Sequence, residues 1–352
     1  MHRCSTLKTN TLHQSQRGRK RDFHSECLPV SCEMSKFAII NRFRNRKTDF
    51  MKKIATLLIA TLLVAASASA QVLYRISGNT LEKPSYIIGT FHLANVSFVH
   101  QISGVKQALT DTEQVYGEVK WDSMTNLDSL KMMQKKMMMP EGQTLKTVLT
   151  KEQFAKLDAF ITKTMGVGLS NPMVFAQMGQ LAPGALATQL QTLLYMSNHI
   201  GEFDPTNTID QYFQTQAKNN NEPTEGLETM EFQAGLLYAM VPLERQVTQL
   251  MCLLDNTEYY AGLLDRMAEA YYSQDLNALE KTMDEKLSAT CDATEEEKAA
   301  LIDNRNKDWA TKMPAIMSAR PTMFVVGAGH LTGDKGVLAL LRNAGYTVEA
   351  VK

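Results

Sequence analysis

Two copies of one short pattern, set near opposite ends of the folding part of the chain, constrain its architecture more than any other feature. The first is Gly89-Thr90-Phe91-His92-Leu93 and the second is Gly327-Ala328-Gly329-His330-Leu331. Each follows an apolar run that reads as a buried strand: Ser85-Tyr86-Ile87-Ile88 before the first, Met323-Phe324-Val325-Val326 before the second. A glycine at the end of such a run permits a sharp turn and close backbone approach. The histidine three residues later then stands at the end of the strand, where α/β sheets tend to place ligands. Delivered this way by distant segments, two imidazoles can meet at one site.

The remaining periodicity supplies a frame for that meeting. Val72 to Ile76 alternates as a first strand and forms a hairpin with the strand ending at Gly89. Val99 to Leu109 reads as a helix, and Gln114 to Val119 as a third strand carrying Glu118. From Asn126 to Met317 apolar residues recur mostly at three- and four-residue steps. Helices are expected over 127–138, 151–165, 172–194, 208–219, 230–254, 257–273, 276–287 and 294–313, with one short strand over 224–227. After Pro321 the period returns to strand, followed by a helix over 335–344 and a last strand over 347–351. The expected fold is α/β: a central mixed sheet built from the N- and C-terminal segments, with a large helical middle insertion or cap over about 126–317.

Charge is informative only after the first segment is set aside. Residues 1–50 are basic and polar, without apolar periodicity, and read as a disordered leader or a start-site artefact. Met51-Lys52-Lys53, the apolar run Ile54 to Ala66 and Ser67-Ala68-Ser69-Ala70 have the build of a secretory signal peptide over 51–70. That places the initiator at Met51, the mature terminus at Gln71, and a single domain over 71–352. The apolar run is short for a membrane span, so none is expected to remain after cleavage. Residues 1–70 carry thirteen of the 37 Lys and Arg but four of the 37 Asp and Glu, leaving 24 basic against 33 acidic residues, a formal charge near −9. An acidic exported chain is a poor match for nucleic acid. Export implies a periplasmic or extracellular location, where Cys252 and Cys291 either form a disulfide or remain two separate buried thiols.

The stretch Leu73 to Leu93 resembles the opening of the TraB/PrgY/GumN family, whose relatives include the TIKI proteases. Phe324 to Leu331, with Gly333, Gly336, Leu340-Leu341 and Gly345-Tyr346, resembles its close. Ile209-Asp210-Gln211-Tyr212-Phe213, Gly226-Leu227-Glu228-Thr229 and Arg305-Asn306 fit between them in order. The resemblance implies an α/β fold related to erythromycin esterase-like hydrolases and a metal-dependent hydrolytic site. On this chain the implied functional positions are His92, His330, Glu118 and Arg305.

Two neutral imidazoles and a carboxylate form a first shell for a divalent ion, so His92, His330 and Glu118 are the expected metal ligands, with manganese, cobalt or zinc as the ion. Such an ion activates water and polarises a carbonyl. Glu118 serves either as ligand or as general base. Arg305 either steadies an oxyanion or carboxylate, or is an ion-pair residue within a helix. Asp210 and Glu228 are open to a plainer reading as residues at helix or strand ends. His100 and His199 match no motif. The methionines at 132, 133 and 137–139 could suit a soft metal, but helical core packing with some exposure explains them better.

Other chemistry is excluded by motif. Gly327-Ala328-Gly329 lacks the third small residue of a dinucleotide loop, because Thr332 stands there. Neither His-Glu-x-x-His nor Gly-x-Ser-x-Gly occurs. The expected function is an exported metal-dependent hydrolase with a peptide or protein substrate. The alternative is a non-catalytic periplasmic protein that binds a ligand between sheet and cap.

Overall fold

The computed structural model describes residues 71–352; the expected leader and signal peptide, over 1–50 and 51–70, lie outside the described residues. Six strands form one mixed sheet in the order β4-β3-β5-β2-β1-β6. They are β1 Leu73–Ser77, β2 Ser85–Thr90, β3 Gln114–Gly117, β4 Thr224–Gly226, β5 Thr322–Gly327 and β6 Thr347–Ala350. β2, β5, β3 and β4 run parallel, while β1 pairs antiparallel with both β2 and β6. The sheet therefore draws on both ends of the chain, as expected. The short strand from the helical middle joins it as an edge.

β2 and β5 are central and buried almost throughout, which is why both read as unbroken apolar runs. Their side chains alternate between two cores. Tyr86, Ile88, Met323 and Val325 face Ile209, Phe213 and Tyr271. Ile87, Phe324 and Val326 face Trp309, Met313 and Met317 together with Val337 and Leu341. Helices cover both faces. A third core, around Leu145, Leu157, Ile161, Leu186, Leu190 and Leu250, belongs to the helical insertion itself. No helix among the described residues is long and apolar enough to cross a membrane.

Several expected helices divide where backbone chemistry requires it. The 172–194 stretch is two helices, Pro172–Met178 and Pro183–Asn198, each opened by proline in its first turn. The 230–254 stretch divides into Met230–Ala239 and Leu243–Asp255, because Pro242 lacks the N–H that a continuous helix needs. The 99–109 stretch becomes a 3-10 turn over Val96–Gln101 and a helix over Val105–Asp111, separated by Gly104 at φ 77°. Cys252 and Cys291 are joined in a disulfide, tying Leu243–Asp255 to the loop ahead of Glu295–Lys298. Met139 is buried in the third core, and Met133, Met137, Met138 and Met178 line a groove of about 580 Å³.

Candidate functional site

Register brings the site residues together. Gly89 pairs with Val326 and Thr90 with Gly327, so the two motifs leave adjacent parallel strands at the same level. On the other side of β5, Gly117 pairs with Val325, and Glu118 follows at the same end. Gly226 pairs with Gly117, so Glu228 follows one strand further out. Four parallel strands thus deliver His92, His330, Glu118 and Glu228 beyond their carboxyl ends, where ligands collect in open α/β sheets.

The two motif glycines are not equivalent. A Cβ on Gly89 would lie 2.9 Å from Ala328 Cα, so a side chain there would push the two motif loops apart. Gly327 instead leaves space: a Cβ there would sit 3.3 Å from Glu118 Oε1, 3.6 Å from His330 Cδ2 and 4.0 Å from His92 Nε2. The three residues expected from the sequence face one small volume above Gly327.

Glu118 is 9% exposed. Its Oε1 accepts the Gly327 amide at 2.8 Å, and its Oε2 accepts Arg305 Nη2 at 2.6 Å and Gln233 Nε2 at 2.8 Å. Burial raises its pKa, but the charges of His330, Arg305 and His92 and the Gly327 hydrogen bond outweigh burial and hold it at about 2. A carboxylate so thoroughly ionised is a weak proton acceptor near neutrality. Its remaining capacity is electrostatic, or as a ligand.

His330 is buried, with its ring 4.5 Å from that of Trp309. Its Nδ1 donates to Asn306 Oδ1 at 2.7 Å. The Asn306 amide can turn only that way, because its Nδ2 donates to the Lys335 carbonyl at 3.0 Å. Arg305 Nη1 donates to Nε2 at 3.0 Å. Burial depresses the His330 pKa to about 4, with Glu118 partly opposing it, so the ring is neutral at neutral pH.

Arg305 enters from the helix Asn304–Ala319, whose first turn follows a π-helical segment over Ala299–Asp303. It grips Glu228 in a fork, Nε to Oε2 at 3.0 Å and Nη2 to Oε1 at 2.8 Å, and stacks over Trp309 at 4.7 Å. His92 is the accessible member, its side chain 66% exposed. Its Nδ1 donates to Asp210 Oδ2 at 3.0 Å. The Asp210 charge raises the His92 pKa to about 9.

Among the described residues no group of three or more His, Cys, Asp or Glu side chains stands in metal-holding geometry. The Arg305 guanidinium occupies the lone pair of His330 and one oxygen of Glu118. His199 lies apart, between Glu202 and Asp265, and His100 packs edge-on against Tyr212.

Four further residues complete the site. Asp210 and Glu228 had an equally good reading at the end of a helix or strand, and Asn306 stood out only within the family pattern. Gln233, one turn into the helix Met230–Ala239, had no signal at all.

Fold and site together define an α/β protein whose polar centre lies at the carboxyl ends of parallel strands, beneath a helical insertion. The chain belongs to the TraB/PrgY/gumN family, whose profile matches residues 72–350. It is similar to the Metalloprotease TIKI homolog of Nematostella vectensis, 22% identical over 317 residues, and to Metalloprotease TIKI1 of Danio rerio, 24% identical over 307 residues. Each match covers 76% of this chain. The chain spans 65% of the length of the first relative and 61% of the second. No solved structure shows a significant match.

Proposed function

We propose that this protein is an exported, metal-dependent hydrolase acting on peptide bonds, with His92, Glu118 and His330 as the residues that hold a divalent cation. The observation that carries this reading is the convergence of His92 Nε2, Glu118 Oε1 and the His330 ring on the space above Gly327. The names of the similar TIKI metalloproteases support the same class of chemistry.

The donor set fits a divalent cation in kind. Each imidazole is oriented through Nδ1, by Asp210 and by Asn306, the arrangement usual behind metal-binding histidines. Glu118, Glu228 and Asp210 face Arg305 and His92, whose raised pKa keeps its ring protonated at neutral pH; a dication taking Nε2 would replace that proton. Recruiting His330 requires Arg305 Nη1 to leave its Nε2. A bound cation would supply polarisation of the scissile carbonyl and a lowered pKa for an attacking water.

The side chains then take distinct parts. Glu118, held near a pKa of 2 by its donors, contributes fixed negative charge and a ligand oxygen; it is not the base. Once displaced from His330, the Arg305 guanidinium is a ready donor for an oxyanion or for a substrate carboxylate. His92, open to solvent, stands where a substrate approaches. The disulfide between Cys252 and Cys291 fits an oxidising, exported location, periplasmic or extracellular.

The test is calorimetric titration of the purified protein with manganese, cobalt and zinc salts, paired with cleavage of a peptide library. One-site binding, weakened at least tenfold in His92→Ala and in His330→Ala along with loss of cleavage, is expected. Wild-type metal affinity in both variants would show the assignment to be wrong. Binding of a ligand by the wild type with no cleavage under any metal would favour a non-catalytic binding protein.

A further inference from the structure

Asp210 touches the chemistry above only through His92, and both of its carboxylate oxygens are engaged. Oδ2 accepts from His92 Nδ1 at 3.0 Å, and Oδ1 accepts from the Thr90 hydroxyl at 2.8 Å. The two donors sit on opposite flanks of one turn. Thr90 is the last residue of β2, 2% exposed, and His92 lies two residues beyond it.

The carboxylate itself stands on a firm support. It belongs to the first turn of the helix Ile209–Asn219, which is capped by the Thr208 side chain accepting from the Gln211 amide. Ile209, Phe213 and Ala217 from that helix are fully buried in the core against the sheet. The Asp210 side chain is only 19% exposed, against 66% for His92. His92 makes no other side-chain hydrogen bond among the described residues. An exposed imidazole on a turn is thus held by one partly buried acceptor, which is clamped in turn by the strand end from which the turn departs.

We infer that Asp210, locked by Thr90, is the positioning residue of His92: it keeps the ring proton on Nδ1 and aims Nε2 at the space above Gly327. This inference rests on the reading of His92 as a site residue and deepens it. Asn306 serves His330 in the same sense, but as a neutral amide. The two imidazoles are therefore unequal. The carboxylate behind His92 makes its Nε2 the stronger electron donor of the pair, so Asp210 sets which histidine binds a cation more firmly.

The experiment has two readouts on the same variants. In metal-free protein labelled with ¹⁵N-histidine, at a pH about one unit above the His92 pKa, the remaining ring proton of wild-type His92 is expected on Nδ1. In Asp210→Ala it is expected to shift mainly to Nε2, as in an unconstrained imidazole, while the signals of His199 and His330 stay in place and report an intact fold. Titration with manganese chloride is expected to show roughly 10–100-fold weaker binding in Asp210→Ala.

Thr90→Val, which leaves the carboxylate in place but frees one of its oxygens, is expected to give a smaller loss of affinity and a more mobile His92 ring. That variant decides the matter if Asp210→Ala does not fold. Retention of the proton on Nδ1 in Asp210→Ala, or a His92 ring as rigid in Thr90→Val as in wild type, overturns the inference. If wild-type protein binds no manganese, the metal reading fails by itself, and the position of the ring proton still decides the role of Asp210.

Discussion

Arg305 Nη1 stands 3.0 Å from Nε2 of His330, so a buried guanidinium donates into the ring nitrogen that faces the site. The same side chain reaches Glu118 through Nη2 at 2.6 Å and holds both oxygens of Glu228. One cation thus links the ends of β3, β4 and β5 and keeps two buried carboxylates apart in charge. The plain reading of Arg305 as an ion-pair residue in a helix holds.

Removing that cation should be severe. Arg305→Met leaves Glu118 and Glu228 buried without their shared partner and is expected to lower stability by about 3–5 kcal/mol. Arg305→Lys keeps the charge but loses the fork, and should fall between this variant and wild type. Urea unfolding followed by circular dichroism measures both. An Arg305→Met protein as stable as wild type would mean that the carboxylates do not depend on it.

The two motif glycines should respond differently to alanine. At Gly89 the new Cβ meets Ala328 Cα and Leu331 Cδ1 at 2.9 Å, so Gly89→Ala is expected to cost about 1–3 kcal/mol through overpacking. Gly327 has an ordinary φ of −54°, and its Cβ enters the shared space rather than the core. Gly327→Ala is expected to change stability by less than about 1 kcal/mol while weakening metal binding at least tenfold. Calorimetric titration beside thermal unfolding separates the two effects.

The disulfide should act chiefly on the unfolded chain. Cys252 and Cys291 are 39 residues apart, and closing a loop of that size contributes about 3–4 kcal/mol in the chain-entropy account. Cys252→Ala with Cys291→Ala is expected to lower the unfolding midpoint by a corresponding amount. Reductant should do the same to wild type and leave the double variant unchanged.

His199 predicts a pH dependence away from the site. Its ring donates to Asp265 and to Glu202 at 2.9 Å each, tying the turn after Pro183–Asn198 to the helix Thr257–Tyr272, and these partners raise its pKa above the ordinary 6.5. Because the folded pKa is the higher one, the stabilisation is fully present below pH 6.5 and is lost as pH rises through the folded value. The acidic partners are half exposed, so the effect should stay below about 1 kcal/mol. The difference in urea midpoint between wild type and His199→Gln should shrink as pH rises from about 5 to about 9. A constant difference across that range would rule out this linkage.

Much of the sheet was legible because buried strands leave unmistakable runs. Ser85–Thr90 and Thr322–Gly327 are central, so both of their faces must be apolar. Helix ends were less legible where one proline outweighs a continuing apolar period, as Pro242 does. His92 and His330 were visible because one pattern occurs twice. Gln233 was not, since a glutamine one turn inside a helix looks the same whether it meets water or a carboxylate 115 residues earlier in the chain.

Local chemistry alone thus determined which segments are strands, which turns need glycine and which residue types could do chemistry. Only the tertiary structure decided that β2 and β5 are neighbours in register, and that Arg305 rather than water answers Glu118, Glu228 and His330. The physical reason is that periodicity along a chain reports what each residue needs, burial or solvent. The partner that meets a need from a hundred residues away is chosen by strand register and by helix packing, and neither is written in any single window of sequence.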